Sequence, residues 1–185
     1  MQQLLTGKKR LPGFSGEWEE KKLGEIGQFK KGRSISKKYL TTEGIPCILY
    51  GQIYTTYHDF AFHLVSKIPM EIAKESTEIN QGDILFAGSG ETPEEIGKCF
   101  AYLGKERAYA GGDIIIFTLY RENSYFLGYL LNTEKINAQK SILGQGSSVI
   151  HIYANSLAQI KLLIPSQEEQ KAIAQILTDM DAEIE

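Results

Sequence analysis

The 185 residues carry 42% hydrophobic and 23% charged side chains, a balance that supports one well-buried domain of ordinary size and excludes a disordered chain. No run of about 18 apolar residues occurs, which excludes a membrane-spanning helix. The net charge of −3 is unevenly spread: residues 1–38 sum to +6, residues 39–165 to −4 and residues 166–185 to −5, suggesting separate surfaces for separate partners.

In chain order, residues 1–5 read as the last turn of a helix closed by Thr6-Gly7. The charges of Lys8, Lys9 and Arg10 follow the few apolar residues, the reverse of a signal peptide, so a cytoplasmic address with no membrane partner is expected. Pro12 and Gly13 break the basic linker, and Trp18 to Phe29 reads as a strand-and-turn entry into the domain. Lys30 to Lys38 reads as a basic loop. Ile45 to Tyr54 is β-rich, with Gly51 marking a bulge or strand end.

Two strands begin alike, Gly82-Asp83-Ile84-Leu85-Phe86 and Gly112-Asp113-Ile114-Ile115-Ile116-Phe117. In each a Gly-Asp turn precedes an apolar run rich in β-branched residues, the pattern of strands buried on both faces. Between them lie a glycine-rich loop, Ala87 to Pro93, and a short strand around Cys99 to Leu103. Cys47 and Cys99 are too few and too isolated for a disulfide framework and read as small buried hydrophobes. His58, His63 and His151 have no spacing that pairs with them as zinc ligands, and no metal or cofactor is expected. Residues 125–140 have near-helical apolar spacing, and the loop Gly144 to Ser148 leads into a short strand at Val149 to Ile152.

The strand Ile160 to Ile164 stops at Pro165, and Ser166 with Glu169 fits a capping box. Ile173, Ile176, Leu177, Met180 and Ile184 then place one apolar stripe along a helix, which its own domain or a partner helix must cover. The expected fold is α+β: a twisted, mostly antiparallel β-sheet followed by a long C-terminal helix projecting from the globule.

The segment Gln159 to Asp181 carries a strand ending in Pro165, the helix start Glu169-Gln170-Lys171, and Leu177 followed by Asp181. With Trp18, Leu23-Gly24-Glu25-Ile26, Gly82 to Phe86 and the late Gly144 to Val149 stretch, it resembles the specificity subunits of type I restriction–modification systems. Ser166 departs mildly, standing where that family often has a second Pro or Leu. The resemblance implies one target recognition domain at residues 14–165, the end of a preceding spacer helix and linker at 1–13, and the start of a spacer helix at 166–185. It further implies that the chain reads half of a split site in double-stranded DNA, as the second half of a subunit or a half-length one. Methyltransferase subunits would dock on it and restriction subunits would join them. The apolar stripe makes homodimer pairing through the C-terminal helix a further expectation.

DNA recognition needs cations on phosphates and polar groups on base edges. Lys30, Lys31, Arg33, Lys37 and Lys38 supply the cations, Ser34 and Ser36 short donors, and Gly32 room for close backbone approach. Candidate base readers are Tyr50, Gln52, Tyr54, Ser89, Glu91, Thr92, Gln145, Ser147 and Ser148. Solvated lysines, turn-forming polar residues and sheet-packing tyrosines are the competing readings. No P-loop ending, Asn-Pro-Pro-aromatic tetrapeptide or Gly-x-Ser-x-Gly elbow occurs, and no catalytic residue is expected. The alternative is a protein–protein module that uses the C-terminal helix without binding DNA.

Overall fold

The computed structural model describes residues 2–183. Its elements run α1 (Gln2–Leu5), β1 (Glu19–Lys22), β2 (Gly27–Lys31), β3 (Ile45–Ile48), α2 (Tyr50–Thr55), β4 (Phe60–Ala61), β5 (Ser66–Ile68), α3 (Met70–Glu75) and β6 (Thr77–Ile79). Then follow β7 (Ile84–Ala87), β8 (Ser89–Gly90), β9 (Cys99–Tyr102), β10 (Ala108–Ala110), β11 (Ile114–Leu119), α4 (Ser124–Leu130), α5 (Glu134–Leu143), β12 (Ile150–His151), α6 (Ala154–Leu157), β13 (Lys161–Ile164) and α7 (Gln167–Ala182). Among the described residues no helix is long and apolar enough to cross a membrane.

A five-stranded sheet, ordered β2-β11-β7-β9-β4, forms the middle layer. Its strands alternate between two cores, as the pleat requires. Ile84, Phe86, Cys99, Ala101, Ile115 and Phe117 face the helical side, packed with Phe126, Leu127, Ile173 and Leu177. Leu85, Ala87, Phe100, Tyr102, Ile114 and Ile116 face the other way, toward Ile48, Ile53 and Ala110. Burying each phenyl ring here stabilises the fold by about 2–3 kcal/mol. The doubly buried character read from the Gly-Asp strands thus reflects a sheet with a core on each face.

The second layer is the four-stranded sheet β5-β3-β10-β6, and two small antiparallel pairs, β1-β13 and β8-β12, close the ends. Among the described residues only β3-β10 and β4-β9 pair in parallel, so the sheets are mostly antiparallel as expected. Cys47 and Cys99 are buried and free, and burial pushes their thiols up to about 12 and about 11.

Three expectations need correction. Tyr50 to Tyr54 continues as α2 and not as strand; its sequence is β-rich, but Ile53 packs fully buried as a helical residue beneath the sheet. The helix of residues 125–140 is two helices, broken where Thr133 turns its hydroxyl onto the Leu130 carbonyl and serves as the N-cap of α5. The C-terminal helix does not project freely. Ile173 and Leu177 are buried against their own domain, Ile176 is half-buried and Met180 is exposed; Ile184 lies outside the described residues.

Polar contacts seat that helix. Ser166 Oγ accepts from the Glu169 amide, but the Glu169 side chain does not reach back to complete a capping box. It takes a bidentate pair of bonds from Arg10 at 2.7 Å each, across 159 residues of sequence. Gln170 is fully buried, donating to Glu122 and the Pro165 carbonyl and accepting from the Asn123 amide. Tyr129 donates its hydroxyl to Asp181 further along.

Lys140 is also fully buried, its ammonium donating to the carbonyls of Gly97 and Leu131 and so closing the C-terminal end of α4. Burial lowers its pKa from 10.5, so the unfolded chain holds that proton more tightly than the folded one. Stability contributed through Lys140 therefore rises with pH between the lowered folded value and the unfolded one. Lys140→Ala is expected to cost about 3 kcal/mol in urea unfolding. Lys140→Met should cost less and remove the part of the rise toward the unfolded-state value that comes from this side chain.

Gly32 makes the tightest backbone crossing. A Cβ there would lie 2.0 Å from the Gly111 carbonyl oxygen, whereas one at the α2 residue Gly51 meets nothing within 4 Å. Gly32→Ala is expected to destabilise by about 3 kcal/mol or more. Gly51→Ala should stabilise by about 0.5–1 kcal/mol in the same assay.

Candidate nucleic-acid interface

The basic residues follow from how β2 ends. This strand is the edge of the five-stranded sheet, pairing with β11 alone among the described residues, and Lys30 and Lys31 lie on it rather than in a loop. Successive residues of a strand point to opposite faces, so the two lysines straddle the sheet edge. Edge lysines also deter strand-to-strand aggregation, a role compatible with ligand binding. The chain then crosses toward the second sheet: the Gly32 amide donates to Ile114 O at 2.9 Å and the Arg33 amide to Ala110 O at 3.1 Å. Ser34 sits at φ 65°, and a short 3-10 helix carries Lys37 and Lys38. Gly32 is therefore a fold requirement of the protein's own backbone, not room for a ligand.

Lys30, Lys31, Arg33, Ser34, Lys37 and Lys38 are all exposed. Among the described residues none of these five cations is in an ion pair; Lys38 lies 4.7 Å from the centre of the Tyr39 ring. Lys31 and Lys37 each line one of two grooves that share Asp113, itself at φ 60° in the β10–β11 turn. One groove, about 690 Å³, is lined by Lys37, Leu40, Leu49, Tyr50 and Gln52 on its walls. The other, about 260 Å³, is lined by Lys31, Gly88, His151, Tyr153 and Asn155.

The candidate base readers divide. Tyr50 is exposed on α2 at the first groove. Gln52 lines it too, but both ends of its amide are occupied: Oε1 accepts from the Leu49 amide and Nε2 donates to Ser66. Tyr54 is part-buried and donates to the Ser89 carbonyl at 3.0 Å; burial holds its hydroxyl well above the usual phenol range. Ser89 is buried, with its Oγ 2.9 Å from His151 Nδ1. Gln52, Tyr54 and Ser89 are thus internal supports, because each polar group already has a protein partner.

Glu91 and Thr92 are exposed just beyond β8, and Gln145, Ser147 and Ser148 just before β12. The β8-β12 pairing sets Gly90 opposite Ile150, which brings these two loops together at one end. Gly112 lines the first groove, His151, Tyr153 and Asn155 the second and Asp113 both, although the sequence alone does not mark them as DNA-binding. The glycine-aspartate turn is legible in the sequence, but its place beside Lys31 depends on long-range pairing. Among the described residues no group of three or more His, Cys, Asp or Glu is placed to hold a metal ion.

Comparison with known proteins agrees with this architecture. A curated protein of Methanocaldococcus jannaschii, described as a putative type I restriction enzyme MjaX specificity subunit, is 30% identical over 171 residues, covering 89% of this chain and 40% of that protein. The type I restriction–modification S subunit from M. genitalium superposes with a TM-score of 0.63 at 16% identity, over 93% of this chain and 41% of the other. The HsdS subunit from Thermoanaerobacter tengcongensis gives 0.63 at 18% identity, over 99% and 42%. These two likenesses establish a shared fold, and the chain spans less than half the length of the relatives it matches. The model of the type I restriction modification DNA specificity domain matches residues 15–185, so the chain belongs to that family.

Proposed function

We propose that this chain reads sequence in double-stranded DNA as one recognition domain, covering half of a bipartite site. Residues 14–165 form the reading body, 1–13 the end of a preceding spacer helix with its linker, and 166–185 the start of the next spacer helix. Methyltransferase subunits dock on the assembled subunit and perform the adenine chemistry, and restriction subunits join them; the chain itself is non-catalytic. Pairing with a second copy would fall to Ile176 and Met180, since Ile173 and Leu177 are already covered.

The observation that carries the reading is a basic segment of five exposed cations, without carboxylate partners among the described residues, of which Lys31 and Lys37 each line a groove. Phosphate binding by such a segment releases condensed counterions and needs no favourable net charge, because fields from residues beyond about 10 Å are screened. Tyr50, Glu91, Thr92, Gln145, Ser147 and Ser148 then remain as exposed groups for base edges. Glu91 accepts from cytosine N4 in this scheme, and Gln145 pairs with adenine.

Duplex titrations at several salt concentrations test the proposal. Affinity should fall steeply with salt, and neutralising Lys30, Lys31, Lys37 or Lys38 singly to Gln should lower the log–log slope by about 0.9 for each phosphate that is no longer neutralised. Salt-insensitive or absent binding would instead favour the protein–protein module that uses the C-terminal helix.

A further inference from the structure

We propose that His151 is a base-reading residue, its imidazole fixed by Ser89 so that Nε2–H projects as a donor into the groove beside Lys31, Asp113, Tyr153 and Asn155. The proposal deepens the DNA-recognition reading and rests on it. Ser89 is the positioning residue.

The backbone of His151 is held on both sides. Toward β8 it pairs with Ser89, and toward the preceding loop it exchanges two bonds with Gln145, at 2.7 and 2.8 Å. Ser89 is anchored in turn, since Tyr54 donates to its carbonyl. Tyr153 lies nearly parallel to the imidazole at 24°, with ring centres 6.4 Å apart. A side chain held this way loses little rotational freedom on meeting a ligand.

The hydrogen-bond inventory selects the tautomer. A neutral imidazole has one donor and one acceptor nitrogen. If Nδ1–H donated to Ser89 Oγ, the serine hydroxyl proton would be buried with no acceptor, because Oγ has no other partner among the described residues. If the hydroxyl donates to Nδ1, only an acceptor lone pair goes unused, the less costly omission. The proton then resides on Nε2, which has no partner among the described residues. Such a donor matches the N7 acceptor on the major-groove edge of a purine. A phosphate at the same point would meet the carboxylate of Asp113, which lines this groove, so the base edge is the better occupant. Lys31 is left for the neighbouring phosphate.

The test is selection from a random duplex library by this chain, by His151→Ala and by Ser89→Ala, with salt slopes and thermal unfolding measured alongside. His151→Ala should lose roughly tenfold discrimination at one or two adjacent base pairs while the salt slope and all other positions hold. Ser89→Ala should relax the same positions, and imidazole ¹⁵N shifts should change from one Nε2–H tautomer to a mixture. An unchanged selected site in His151→Ala, or equal weakening at every position, would overturn the proposal while leaving DNA recognition intact. A parent chain that binds no duplex would overturn both readings.

Discussion

The candidate interface depends on the crossing of Gly32 over Gly111. At this point the chain leaves the edge of the five-stranded sheet, and the β10–β11 turn passes from one sheet to the other. The Gly32 amide bonds to Ile114 within the five-stranded sheet and the Gly111 amide to Ile48 within the four-stranded one, at 2.9 Å each, while the Arg33 amide reaches Ala110 and joins the two layers. A side chain at residue 32 has no space. The crossing brings Lys31 to one groove and Lys37 to the other, with Asp113 shared between the two. A gap in this backbone junction would separate the cations from the grooves.

The two ends of the chain meet elsewhere on the molecule. Arg10 holds Glu169, and Gln170 holds Glu122 and the Asn123 amide, so the basic linker and the last helix are bound to the same body. Part of the acidic surplus of the C-terminal segment is used inside the fold: Glu169 neutralises Arg10, and Asp181 accepts from Tyr129. The basic strip is not paired in this way, and its local field matters more than the overall charge of −3. Uneven charge along the sequence thus has two causes, internal pairing at the ends and an open surface near β2.

The buried strands and the start of the last helix were legible because their signals are local. Gly82-Asp83 and Gly112-Asp113 announce turns, and the apolar runs that follow leave no polar face. The apolar stripe of α7 was equally clear, but sequence spacing could not say what covers it. That depends on Phe126 and Leu127, whose packing is a tertiary fact. Ile53 and Tyr54 misled as strand formers because burial beneath a sheet overrides weak β-propensity. Ser89, Gln52 and Tyr54 looked like exposed loop donors; partners 14 to 62 residues away in sequence consume their polar groups. The burial of Glu169, Gln170 and Lys140 rests on partners distant in sequence, which spacing alone does not reveal. The basic cluster itself was found, since charge density survives errors in assigning strand or loop.

The central claim is that duplex DNA docks on the face organised around Asp113 and not on the side of the C-terminal helix. Backbone amide shift mapping during titration with a short duplex tests it most directly. The account predicts perturbations concentrated at residues 30–38, 91–92, 112–113 and 145–155, with α7 unchanged. Perturbations centred on Glu17, Arg121 and Glu168, or on the exposed face of α7, would contradict it.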